Sequence, residues 1–166
     1  MGLFSKRPSR KEAIDQYDAV FNVLHKDGLS VLGQNSNCFL CVSGDALLIK
    51  DNLFNDDPIA TMQLSQITYI DTMGERELIE KSKNAIGRSI VGGLAFGSVG
   101  AIVGGLSAAS PKQVSVQHSF LLINYIPSGS NTPVPLTFEF FPTFEQSDTK
   151  FINAVQAKIA SKTVVL

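Results

Sequence analysis

Two glycines and two cysteines stand at spacings that chemistry uses. Gly92 and Gly97 are spaced like the glycines of a phosphate-binding loop, in which backbone amides cradle the phosphate and a following lysine reaches it. Ser98 and Val99 occupy the places where Lys and then Ser or Thr are required, so no nucleotide site is formed. Cys38-Phe39-Leu40-Cys41 is formally a CxxC. In an extended chain residues three apart point to opposite faces, and no second ligand pair accompanies them, so both are expected to be buried structural thiols. His25 and His118 read as structural or capping histidines, on a predicted helix end and a predicted strand. Glu75, Glu77 and Glu80 read as a solvated edge. No Ser-His-Asp arrangement with a nucleophile elbow occurs. The chain is therefore expected to be non-enzymatic, with no catalytic residue, cofactor or metal assigned.

A different constellation lies between Arg88 and Lys112, where no charged residue occurs. Wound as a helix, Ser89, Gly93, Gly97, Ala101, Gly105 and Ala109 fall four apart on one side, and every one is small. Such a small-xxx-small surface lets a second helix backbone approach closely. Gly93, Gly97, Ala101 and Gly105 are the expected packing residues, toward membrane or partner helices. The segment resembles the glycine zippers of bacterial envelope and pore-forming proteins. Each interior Gly costs about 1 kcal/mol relative to Ala in a helix, so close packing or lipid has to compensate. The length is marginally enough to cross a bilayer, which needs about 20 residues. A single span would separate the strands on either side of it. A helical hairpin turning near Gly97-Ser98-Val99-Gly100 keeps both ends together, and a soluble loop is the third form.

The flanking chain must position that segment. Ser9-Arg10-Lys11-Glu12 is a capping box, and Ile14, Tyr17, Phe21 and Leu24 recur at helical spacing until Gly28. An N-terminal amphipathic helix over about residues 10–27 is predicted. Cys38–Val42 and Ala46–Lys50 flank Ser43-Gly44-Asp45 as a hairpin, and Asn55-Asp56-Asp57-Pro58 is a further turn. Ile59–Leu64 and Gln66–Asp71 alternate as half-buried strands. After the glycines, Val114–Phe120 alternates before the run Leu121–Ile126, and Leu136, Phe138 and Phe140 alternate with Thr137 and Glu139. Phe144, Phe151, Val155 and Ile159 mark a C-terminal helix over about 143–161. Runs of strands with helices at the ends indicate an α+β class.

These patterns resemble the bacterial PH-like domains. The matches are the hairpin Phe39–Lys50, Leu64-Ser65-Gln66-Ile67-Thr68-Tyr69-Ile70, Leu122-Ile123-Asn124-Tyr125, Phe138-Glu139-Phe140 and the closing helix. The resemblance implies a PH-like antiparallel β-barrel of about seven strands, partly open and capped by the last helix. The N-terminal helix and the glycine-rich insertion depart from the family layout. Phosphoinositide binding is not carried over, because no basic cluster falls in an early strand loop. The expected organisation is a basic tip and helix over 1–36, then a PH-like domain over 37–162 with its insertion at 86–110.

Bulk properties agree with a binding module. The chain has 166 residues, 44% hydrophobic and 17% charged, enough for a real core. A net charge of −1 argues against a nucleic-acid partner. Lys6, Arg7, Arg10 and Lys11 follow a short apolar tip and form a weak membrane-surface basic cluster. Gly2 invites acylation, but Lys6 stands where the myristoylation pattern wants Ser or Thr. No secretory signal opens the chain, so a cytoplasmic protein is expected, peripheral or re-entrant at the inner face of a membrane. The expected partners are membrane lipid or other copies through residues 86–110, or a second protein. The competing expectation is a membrane-active oligomer, with several zippers assembling into a pore.

Overall fold

The computed structural model describes residues 8–82, 118–140 and 145–160. Helix α1 (Arg10–Asp15) opens it, followed by strands β1 (Ala19–Asp27), β2 (Asn37–Ser43), β3 (Ala46–Lys50) and β4 (Ala60–Gln63). A 3-10 turn (Leu64–Gln66) leads into β5 (Ile67–Gly74) and α2 (Glu75–Ser82). Strands β6 (Ser119–Tyr125) and β7 (Val134–Phe140) precede helix α3 (Glu145–Ala160). The strands form one sheet in the order β4-β3-β2-β1-β7-β6-β5, and every pairing is antiparallel. β4 and β5 are its two edges, so the seven-stranded sheet is not closed, in keeping with the partly open form expected, and the C-terminal helix lies on one of its faces.

The helix predicted over 10–27 is corrected. The capping box forms as read, with Ser9 N–H donating to Glu12 Oε2 at 2.6 Å and Glu12 N–H to Ser9 Oγ at 3.3 Å. The helix then stops at Asp15, and Ala19–Asp27 is a strand between β2 and β7. Phe21 fits both periods, since Ala19, Phe21 and Val23 also alternate, and all three are buried on one face. Pairing on both sides decides between them, because strand preference reflects fit to a pleated, packed surface. The residue expected to stop a helix instead ends β1. Gly28 has φ +101°, and a Cβ there would lie 2.2 Å from the Pro135 carbonyl oxygen. Only glycine fits that backbone approach.

One sheet face carries the main core. Phe21, Val23, Leu40, Ile49, Ile67, Ile70, Leu121, Ile123, Leu136 and Phe138 line it, and α3 covers it with Phe151 and Val155. The Phe21 ring meets Phe140 edge-on at 5.0 Å and Phe151 at 5.6 Å. Such side chains contribute about 1.5–3 kcal/mol each on full burial. α3 is also tied at its far end, where Lys158 Nζ donates to the Gly44 carbonyl at 2.6 Å and pairs with Asp18 at 2.5 Å.

The opposite face is covered in two places. α1 and the β3–β4 loop place Ala13 and Leu53 on Cys41, with Tyr17, Phe39 and Leu48 alongside. Leu78 of α2 packs on Met73, Phe120 and Leu122. β6 is consequently buried on both faces from Phe120 to Asn124, which is why it reads as an unbroken apolar run.

Candidate functional site

The glycine-rich connection leaves the sheet after β5 and returns at β6. These strands are antiparallel neighbours, with Gly74 opposite Ser119, and Glu75 N–H donates to the His118 carbonyl at 3.2 Å. The connection therefore begins and ends at one corner of the sheet. That corner is anchored by α2, whose Leu78 is fully buried.

A buried ionic cluster sits beside it. Glu139 of β7 pairs through one carboxylate oxygen with Lys26 Nζ and through the other with His118 Nδ1. Lys26 Nζ also donates to Asn35 Oδ1 at 2.6 Å. Burial pushes the Glu139 carboxyl up, but the hydrogen bonds from Lys26 and His118 outweigh it and hold the group below its ordinary value. With a carboxylate as partner, His118 Nδ1 carries the hydrogen and donates it. On the same face Asn124 Oδ1 and Thr137 Oγ1 are buried with no hydrogen-bond partner among the described residues.

Arg10 and Lys11, expected as part of a basic cluster, are exposed in the first turn of α1. Lys6 and Arg7 lie outside the described residues, as do Gly93, Gly97, Ala101 and Gly105 and the strand residues 114–117. Cys38 and Cys41 point to opposite faces, Cys38 into the main core and Cys41 under α1. Burial raises their thiols to about 12 and about 11, far from the depressed values of reactive thiolates. His25 is not on a helix end but in β1, fully enclosed. Its Nδ1–H donates to the Gly33 carbonyl at 3.1 Å and its Nε2 accepts from Leu29 N–H at 3.2 Å. That is a satisfied structural histidine. Among the described residues no group of His, Cys, Asp and Glu is placed to hold a metal ion.

The Lys26–Glu139–His118 cluster escaped sequence reasoning. Glu139 between Phe138 and Phe140 looks like the solvent-facing half of an alternating strand, and Lys26 fell within the mispredicted helix. The available signal was β6 itself, since a run apolar on both faces implies that its neighbours on the outer face are covered too.

The family model described as a glycine zipper containing PH domain matches residues 22–135. The chain belongs to that family. The match begins within β1, ends within β7, and includes the glycine-rich connection between α2 and β6. The match covers the hairpins and the glycine-rich connection, so the glycine zipper is a family feature and not an accident of this chain. The open seven-stranded sheet with its C-terminal helix is consistent with a PH-like fold. No curated protein matches. Among the described residues, no helix of this PH domain is long and apolar enough to cross a membrane.

Proposed function

We propose that this chain is a non-enzymatic binding and assembly module, a PH-like sheet that anchors a glycine-zipper segment at one corner and presents it to membrane or to other copies. The supporting observation is the unbroken register of small residues from Ser89 through Gly93, Gly97, Ala101 and Gly105 to Ala109, within a family described by its glycine zipper. The adjacency of Gly74 and Ser119 favours a folded-back segment over a straight span. Lys6, Arg7, Arg10 and Lys11 add attraction to an anionic surface, at about 1 kcal/mol per residue close to it. The site of action is then the inner face of a cytoplasmic membrane.

Co-sedimentation with phosphatidylcholine/phosphatidylserine vesicles and chemical cross-linking test this. The full chain is compared with a variant in which residues 86–110 are replaced by a Gly/Ser linker long enough to join α2 to β6. The full chain is expected to pellet or to cross-link to itself, and the variant to do neither while keeping a cooperative thermal transition. Equal behaviour of the two overturns the proposal. Release of trapped dye from the vesicles would mark a pore instead.

A further inference from the structure

Among the described residues, the large hydrophobic side chains left exposed are Val31, 62% accessible, and Phe54, 49% accessible. Both stand at the same end of the sheet. β1 and β2 are joined there by residues 28–36, and β3 and β4 by 51–59, because Leu24 pairs with Asn37 and Phe39 with Lys50. Gly28 touches Pro135, which brings the β6–β7 loop, 126–133, to the same rim. Single exposed apolar residues are ordinary. These two differ because each is held out by a loop that is tied in on both sides.

Around Val31, the His25 ring bonds both Leu29 N–H and the Gly33 carbonyl, and Asn35 N–H donates to the His25 carbonyl at 2.7 Å. Leu29 and Leu32 pack inward on the core, leaving Val31 between them facing out. Around Phe54, the buried Lys50 Nζ donates to Tyr17 Oη at 2.9 Å and to the Asn55 carbonyl. Phe54 N–H donates to Asn52 Oδ1 at 2.9 Å, and Leu53 is buried beneath. Two buried polar side chains, His25 and Lys50, thus fix two loops that each present one apolar residue. Ordering costs are met within the fold, which is the condition for an efficient anchor pair at an interface.

Charge selects the partner. The three loops contain Asp51, Asp56 and Asp57, all exposed, and neither Lys nor Arg. An anionic membrane or a phosphate headgroup would meet like charge here. We propose that this rim docks a protein segment carrying aliphatic or aromatic side chains flanked by Lys or Arg, with Val31 and Phe54 as anchors. The rim is at the opposite end of β6 from the glycine-zipper corner, since Ser119 begins the strand at Gly74 and Tyr125 leads into 126–133. The two surfaces can be occupied together, so a partner can be brought to wherever the zipper resides.

The test is selection of a random 12-residue peptide display library on the full chain. Recovered peptides are then measured by fluorescence anisotropy on the wild type, on Val31→Ser/Phe54→Ser and on Asp56→Asn/Asp57→Asn, with phosphatidylcholine and phosphatidylcholine/phosphatidylserine vesicles as a parallel arm. Expected are peptides rich in apolar and basic residues, at least about tenfold weaker on the serine variant, a loss of about 1.4 kcal/mol. The asparagine variant should flatten the salt dependence. Both variants change exposed residues and should keep the wild-type thermal transition. No recovered peptide, equal affinity for the serine variant, or vesicle binding that this variant loses would each overturn the proposal.

Discussion

The His118 imidazole is bonded to the Glu139 carboxylate across the outer face of the sheet, at the point where the glycine-rich connection rejoins it. Glu139 also carries Lys26 from β1, so one buried carboxylate links the returning chain to the central strand.

Glu139→Gln is expected to destabilise the fold by about 3 kcal/mol, because it leaves the Lys26 ammonium buried without its counter-ion. Replacing both partners, Lys26→Met with Glu139→Leu, should recover most of that loss. Urea unfolding of the two variants beside the wild type measures both effects.

The same carboxylate gives a pH dependence with a definite sign. Its value in the folded protein lies below the ordinary 4.5, so its contribution is present above that pH. It is lost as pH falls through the lowered folded value. The stability difference between wild type and Glu139→Gln should be constant near neutrality and shrink below about pH 4.5. A difference that grows on acidification would contradict the assignment.

Burial raises Cys38 to about 12 and Cys41 to about 11. Both thiols should stay protonated at pH 8 and resist iodoacetamide in the folded chain, then react fully in urea. Mass spectrometry after timed alkylation reads this directly.

Gly28 and Gly44 both have positive φ, at +101° and +56°, but differ in their surroundings. Gly44→Ala adds a Cβ into open space and should cost only the left-handed backbone term, about 1–2 kcal/mol. Gly28→Ala must in addition displace the Pro135 backbone and should cost clearly more. Thermal melts of the pair separate strain from steric overlap.

The proposed zipper face predicts opposite signs for two kinds of added bulk. Gly105→Leu fills the small-residue face and should weaken self-association or membrane binding, although it makes the segment more apolar. Val99→Leu and Val103→Leu add bulk off that face and should leave association unchanged. Gly97→Leu tests the turn of a hairpin as well as its packing. Cross-linking and light scattering that treat all four variants alike would leave flexible loop geometry as the glycines' role.

The strands were legible where apolar and polar residues alternate, as Phe138 and Phe140 do with Thr137 and Glu139, even though the polar side of β7 is itself buried, and in the hairpin around Gly44. The closing helix was legible because Phe151 and Val155 sit on one stripe that meets the core. β1 was not, because Ile14, Tyr17, Phe21 and Leu24 satisfy a helical period locally while pairing partners distant in sequence determine the strand. The ionic cluster was hidden for a related reason. Lys26, His118 and Glu139 are far apart in the chain, and no local pattern says that a polar residue on the outer face is enclosed. The rim anchors are invisible as well, since Val31 and Phe54 each lie in a short apolar pair whose other member turns inward.

Strand β1 joins the two halves of the sheet, pairing with β2 nearby in sequence and with β7 through Leu24 and Glu139. That second seam encloses the chain from Leu24 to Glu139, including the glycine-rich connection, in one loop. Closing such a loop costs entropy that grows only with the logarithm of its length, about 0.6 kcal/mol per doubling. The connection between α2 and β6 can therefore lengthen or shorten by many residues at little thermodynamic cost to the sheet. The seam is also a contact of long sequence separation, so its formation is expected to limit the folding rate, whatever sequence the connection carries.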